Sequence, residues 1–199
     1  MDELKARLEA RARRPMGVPE EARRRAGVLV PLYVREGSLW VVLTRRTETL
    51  EHHRGQISFP GGAEEREDGT LLRTALRETE EEIGISAADV RVLGSLSPLT
   101  TVTDFYVEPF VGAIPYPYVF RPAEAEIAEV VEVPVAALRD PGALERRALP
   151  GRDEPVLFYH HGPHVIWGAT GRMLKELLDA LEASRSPVGN RPPEASPRQ

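Results

Sequence analysis

The sequence predicts one α/β domain (α+β in the broader sense) built on a mixed β-sheet, and three observations carry that prediction. The chain has 199 residues, 41% hydrophobic and 29% charged, enough apolar material for a single core. Short runs rich in Val, Leu, Ile and Tyr recur between Gly- and Pro-containing breaks, the pattern of strands. Segments with apolar residues three and four apart fall between them, the pattern of amphipathic helices. Strands interspersed with helices place a sheet under helical cover.

Each element follows in order. Residues 2–14 read as a short helix, with Leu4 and Leu8 four apart among charges and Pro15 as the stop. Gly27–Val34 and Leu39–Thr44 read as two strands joined by a tight turn at Arg35-Glu36-Gly37-Ser38. Residues 45–69 read as loop with a short strand at Gln56–Phe59, and residues 70–83 as helix. Val90–Leu96, Phe105–Ile114 and Ala128–Val133 are further strands, the last followed by a short helix to Leu138 with Pro134 in its first turn. Val156–Tyr159 and His164–Ile166 form a late hairpin, with His160, His161 and His164 read as turn residues and Trp167 as core. Leu174, Leu177, Leu178 and Leu181 make the apolar stripe of a final helix. The expected organisation is a helical lead-in over 1–24, a globular domain over 25–184 and a disordered, proline-rich tail over 185–199.

Composition removes several classes of function. There is no cysteine, which excludes disulfides, thiolate catalysis, Cys-ligated zinc and iron–sulfur clusters, and fits a reducing, cytoplasmic setting. No apolar run reaches the length of a membrane span, and residues 1–14 mix acids and bases without the apolar core of a secretory signal. Only Lys5 and Lys175 are lysine, which argues against Schiff-base chemistry. The net charge is −5, and residues 64–82, with eight acids and three bases, hold all of it. The remainder is neutral, so no electrostatic footprint for nucleic acid exists.

That acidic segment enters the helix of 70–83. At about 100° per residue, Leu72, Ala75, Leu76, Thr79 and Ile83 share one stripe, the expected buried face, with Leu71 on its edge. Glu78, Glu81 and Glu82 gather beside it, and Glu80 projects to the other flank. Like charges four apart, close to a helix C-terminus marked by Gly84, oppose helix formation. Two readings follow: a solvated acidic face, or a site for a hard cation such as Mg²⁺ or Mn²⁺ that offsets the repulsion.

The loop upstream separates the two. Gly62, Arg77-Glu78, Glu81-Glu82 and Gly84-Ile85 resemble the Nudix box, G-x5-E-x7-R-E-U-x-E-E-x-G-U with U aliphatic. Thr79 stands at one U position, Asp68 stands where the box has its first Glu, and one extra residue separates Gly62 from Arg77. The segment from Val42 to Gly62, VLTRRTETLEHHRGQISFPGG, resembles the motif that precedes the box in the coenzyme A pyrophosphatase branch of the Nudix hydrolases, and Ile166-Trp167-Gly168-Ala169-Thr170 resembles its later I-W-G-x-T segment.

The resemblance implies a Nudix-like α/β/α sandwich. The activity it implies is Mg²⁺- or Mn²⁺-dependent hydrolysis of the diphosphate in CoA or a derivative, to 4′-phosphopantetheine and adenosine 3′,5′-bisphosphate. It implies Glu78 and Glu82 as main metal ligands, with Glu81 and the Gly61 carbonyl adding to them. It leaves the general base open between Glu78, Glu81 and Glu126, and gives Arg77 either a grip on the glutamates or a simple ion pair with Glu81. Arg45, Arg46, Arg54, His53 and Gly62 are the substrate-binding candidates, the arginines because a guanidinium grips phosphate with paired donors. The expected partner is a small molecule, with no nucleic acid or membrane and with a monomeric or homodimeric protein. Two alternatives stand beside this: a Nudix hydrolase of another nucleoside diphosphate derivative, such as ADP-ribose or a dinucleotide, and a non-catalytic nucleotide-binding regulator. Tyr116–Phe120 is read as a mobile loop.

Overall fold

The computed structural model describes residues 1–10, 24–48, 54–151 and 154–182. The elements run α1 (Asp2–Ala10), β1 (Arg24–Arg35), β2 (Ser38–Arg46), β3 (Ile57–Ser58), β4 (Gly61–Ala63), α2 (Leu71–Ile83), β5 (Arg91–Ser95), β6 (Leu99–Thr100) and β7 (Phe105–Ala113). They continue with β8 (Ile127–Pro134), α3 (Val135–Leu138), β9 (Leu144–Arg147), β10 (Val156–His161), β11 (His164–Trp167) and α4 (Gly168–Glu182).

The principal sheet has the order β3-β2-β1-β7-β5 and is mixed: β1 runs parallel to β7 and antiparallel to its other neighbours. β1 divides its other edge between two partners. Residues 26–28 pair with β4, and residues 32–35 pair with β2 through a turn in which Glu36 and Gly37 both take positive φ, 51° and 75°. β8 lies along β2. A second, antiparallel sheet has the order β9-β10-β11.

Strand alternation divides the core into two layers. Val41 and Leu43 join the larger cluster, beneath α1 and α4, with Leu4, Leu8, Leu174 and Leu177. Val42 faces the other way, into a smaller cluster with Tyr33, Ile83 and Ile85 from β1 and the end of α2. Helices thus cover both faces of the sheet, the sandwich the resemblance implies. No helix among the described residues is long and apolar enough to cross a membrane.

Several local expectations are corrected. Gly61–Ala63, read as loop, is a strand, because Pro60-Gly61-Gly62 brings its backbone against β1, where Leu29 N–H donates to the Pro60 carbonyl at 2.9 Å. Pro134 ends β8 and caps α3 rather than lying inside it. The histidines read as turn residues belong to strands: His160 and His161 to β10 and His164 to β11, with only the two residues between them in the turn. Trp167, read as core, is 44% exposed and stacks on Phe158 with centroids 5.7 Å apart. The 116–120 segment, read as mobile, is pinned: Tyr116 stacks on Tyr33 at 5.1 Å, and the Tyr118 hydroxyl donates to Asp89 at 2.9 Å. The first helix is described as far as Ala10; its expected continuation to Arg14 and the tail over 185–199 lie outside the described residues.

Candidate active site

The site is assembled around α2, and its local chemistry starts with a cap. Thr70 accepts a hydrogen bond from Arg73 N–H at 3.3 Å, and Gly84 ends the helix in the left-handed region at φ 73°, its N–H reaching the Glu80 carbonyl at 2.9 Å. The helix is laid tightly on β1. A Cβ at Gly27 would overlap the Leu71 carbonyl, so only glycine permits this approach.

That docking rotates the helix from the face its leucines predict. The buried residues are Leu71, Thr74, Ala75, Thr79, Glu82 and Ile83, while Leu72 and Leu76 are half-buried. The rotation carries Glu82 inside, to 6% exposure, with Glu78 half-buried one turn earlier. Glu81 stays at 61% exposure, and Glu80 lies on the far flank, its carboxylate taking the Ala87 N–H at 3.4 Å. The acidic cluster is therefore not a solvated face.

Two arginines hold these acids. Arg77 is fully engaged: Nε and Nη2 donate to the two oxygens of Asp68 at 2.9 and 3.1 Å, Nη2 also donates to the Ala63 carbonyl at 3.2 Å, and Nη1 lies 3.0 Å from both Glu78 and Glu81. Arg77 thus contacts both Glu78 and Glu81, and it makes a further tie, to Asp68, that the sequence did not reveal. Asp68 is 6% exposed and also accepts from Thr74 Oγ1 and Glu65 N–H, each at 2.9 Å. The Arg77 guanidinium holds its carboxyl well below the usual carboxylate range. The visible signal was its place: Asp68 stands where the box carries its first Glu.

Arg46, at the end of β2, reaches the other side of the cluster. Nη1 lies 3.4 Å from Glu82 and Nη2 3.6 Å from Glu126. Glu126 sits on a turn stitched between two elements. Ala123 N–H donates to the Glu82 carbonyl and Arg121 N–H to the Ile83 carbonyl at the end of α2, at 2.8 and 2.9 Å. Thr47 N–H donates to the Glu126 carbonyl at 2.8 Å, and Thr47 Oγ1 to the Ala125 carbonyl at 3.2 Å.

Gly61 and Gly62 complete the assembly. The pairing of β4 with β1 turns the backbone groups of Gly61 away from β1, and its N–H donates to Glu82 Oε2 at 3.3 Å. A Cβ at Gly62 would overlap the Glu78 carboxylate, so this glycine makes the cradle in which Glu78 lies. Of the remaining candidates, Arg45 faces the opposite side of the sheet, as alternation along β2 requires; its Nε lies 2.9 Å from Glu129, which also lies 3.4 Å from His164. Arg54 is exposed in the turn before β3, and His53 lies outside the described residues.

The electrostatics of the cluster are unbalanced. Burial pushes the Glu82 carboxyl up to about 7, against the pull of Arg46 and the Gly61 N–H and with help from the charges of Glu78 and Glu126. Burial also raises Glu78, opposed by Arg77 and reinforced by Glu81 and Glu126. Among the described residues no three carboxylates or imidazoles stand gathered as a ready metal cluster; the acids are tied to arginines. The donor chemistry nevertheless fits a hard divalent cation: two carboxylates one helical turn apart, one of them buried, and a glycine backbone facing them.

A sequence model of the NUDIX domain matches residues 23–151, and the chain belongs to the Nudix family, whose hydrolases generally use divalent metal ions. Its curated relatives include the protein named Nudix hydrolase NudL in Photorhabdus laumondii, described as uncharacterized, which is 35% identical over 164 residues, 80% of this chain and 86% of that one. NudL of Cronobacter sakazakii is 40% identical over 169 residues, 82% of this chain and 85% of the relative. In fold, the chain is similar to the Nudix hydrolase RenU of M. smegmatis (TM-score 0.57, 16% identity, 84% and 90% of the two chains). It is also similar to a MutT/nudix family protein of Enterococcus faecalis (TM-score 0.53, 17% identity, 91% and 68%).

Proposed function

We propose that the protein hydrolyses the diphosphate bond of coenzyme A or a CoA derivative, releasing 4′-phosphopantetheine and adenosine 3′,5′-bisphosphate, with Mg²⁺ or Mn²⁺. One observation carries the CoA assignment beyond the family. The segment that resembles the CoA pyrophosphatase motif ends β2 with Arg46, which reaches Glu82 and Glu126, so that motif and the Nudix helix contribute to one site.

In this reading Glu78 and Glu82 hold the cation, supported by Glu81 and the Gly61 carbonyl. A bound divalent cation supplies charge neutralisation of the diphosphate and lowers the pKa of water. Glu126 takes the proton from the attacking water, since its turn is fixed from both sides and its carboxylate is 54% exposed, open to a substrate. Arg77 positions Glu78 and Glu81 and does not touch substrate. Arg46 and Arg54 bind phosphate oxygens.

The test is product identification by mass spectrometry after incubation with CoA, acyl-CoAs, ADP-ribose and dinucleotides, with Mg²⁺ or Mn²⁺. Adenosine 3′,5′-bisphosphate from CoA, lost in Glu82→Gln, supports the reading. Clean turnover of another nucleotide with no product from any CoA species overturns the CoA assignment.

A further inference from the structure

The two arginines of the site are held in different ways. Arg77 is a matched fork, with both edges satisfied at 2.9–3.2 Å. Arg46 is not. Its contacts to Glu82 and Glu126 are 3.4 and 3.6 Å, beyond the usual length of a charge-assisted bond. Its Nε is buried and has no hydrogen-bond partner. A buried guanidinium donor without an acceptor costs free energy. Its backbone, by contrast, is fixed, with Arg46 N–H on the Gln56 carbonyl at 3.0 Å. The anchored part is the main chain, and the side chain is the loosely held part.

The positive charge nonetheless has a clear function in this arrangement. It lies between carboxylates from two different elements, α2 and the 123–126 turn, and among the described residues it is the opposite charge within 4 Å of Glu82. That is the electrostatic position a cation bound to Glu82 would also serve. Two cations compete for one buried carboxylate, and the side chain that yields carries the planar, multi-donor group that a diphosphate satisfies.

We propose that Arg46 is an exchangeable counter-ion. It neutralises Glu82 and Glu126 in the metal-free protein, gives up Glu82 when a divalent cation is bound, and turns its guanidinium, including the unpartnered Nε, to the diphosphate of the substrate. Arg46 thereby adds to the direct attraction between cation and diphosphate, so metal and substrate bind with more synergy than that attraction alone provides. This rests on the metal and diphosphate assignments made above for Glu82 and for the substrate.

The experiment measures Mn²⁺ binding directly, by the electron paramagnetic resonance signal of free Mn²⁺, on the intact chain at one fixed pH for every variant. In the absence of nucleotide, Arg46→Met binds Mn²⁺ roughly ten-fold tighter than the wild type, because a competing charge is gone. Adding α,β-methylene ADP, a diphosphate that is not hydrolysed, tightens Mn²⁺ binding in both proteins once the Mn²⁺ held by the nucleotide alone is subtracted, and does so at least about five-fold more in the wild type than in Arg46→Met. Arg46→Lys keeps the charge without the fork; it retains wild-type Mn²⁺ affinity alone and shows the same reduced tightening by nucleotide as Arg46→Met, and it serves if the Met variant does not fold. Equal or weaker Mn²⁺ binding by a folded Arg46→Met, or tightening by nucleotide as large in the two variants as in the wild type, overturns the exchange. Glu82→Gln separates the two levels: if it leaves wild-type Mn²⁺ affinity intact, the metal assignment itself fails, and if it abolishes that affinity while Arg46→Met binds no tighter, only the exchange fails.

Discussion

Replacing Asp68 by Asn tests the strength of the tie beneath the acidic helix. The carboxylate accepts four hydrogen bonds, two from Arg77 at 2.9 and 3.1 Å and one each from Thr74 and Glu65 at 2.9 Å. An amide offers one oxygen in place of two, and its NH₂ must face donors whichever way it is placed. Breaking a buried ion pair costs about 3–5 kcal/mol, but Arg77 keeps Glu78 and Glu81 at 3.0 Å, so its charge is not stranded. The expected loss is about 3 kcal/mol, which for a chain of this size lowers the melting temperature by about 6–12 °C. The assay is a thermal melt near neutral pH, repeated in an Arg77→Met background. If the Asp68–Arg77 link is the source, the two losses are non-additive by at least about 1 kcal/mol. The sign with pH is also set: the folded-state pKa of Asp68 is depressed, so its contribution is present above the ordinary carboxylate range and disappears as pH falls. A melting temperature within about 2 °C of wild type, or additive losses, would refute the reasoning.

Three further outcomes are expected. Gly62→Ala displaces the Glu78 carboxylate, the end of a flexible side chain, so kcat falls by about ten-fold or more while the melting temperature changes little. Thr47→Val removes the hydroxyl that ties down the Glu126 turn and lowers kcat by roughly three- to ten-fold at unchanged KM, with Thr47→Ser restoring it; no change in either constant would detach Thr47 from the site. Glu82 has a folded pKa raised to about 7, so in metal-free protein its proton is held in the folded state after the unfolded chain has lost it, and stability falls as pH rises from about 4.5 through about 7. Melting curves across that window show the decline in wild type without metal, a shallower one in Glu82→Gln, where the raised Glu78 remains, and a larger gain from saturating Mg²⁺ at the alkaline end.

The strands and helices were legible in the sequence because their apolar periods are strong: Val41, Val42 and Leu43 alternate between the two core layers, and Leu174, Leu177 and Leu178 line one stripe of α4. The rotation of α2 was not, because it is decided by a contact outside the helix. Gly27 has no side chain, the helix backbone closes on β1, and the face that turns inward carries Thr74 and Glu82 instead of Leu72 and Leu76. The spacing of leucines within the helix carries no information about a glycine on a distant strand. Arg45 and Arg46 show the converse, adjacent residues that composition treats alike and that a period of two sends to opposite faces. Asp68 was visible as a departure from the box, yet its four donors come from Glu65, Thr74 and Arg77, a convergence that exists only once the loop has closed on the helix.

The parallel pairing of β1 with β7 has a bearing on the order in which this molecule comes into being. Arg24 lies beside Phe105, and every later pair keeps the same separation of 81 residues. Arg46, Gly61, Asp68, Glu78 and Glu82 all lie within the loop that this pairing ties off. Closing such a loop costs about 4 kcal/mol before any contact compensates for it. The acidic helix is capped by Thr70 and Gly84, but it is short and carries like charges four apart, so it acquires most of its stability from the sheet beneath it. A peptide spanning residues 64–84 alone is therefore expected to stay largely unstructured, because the strand on which Gly27 seats the helix is missing.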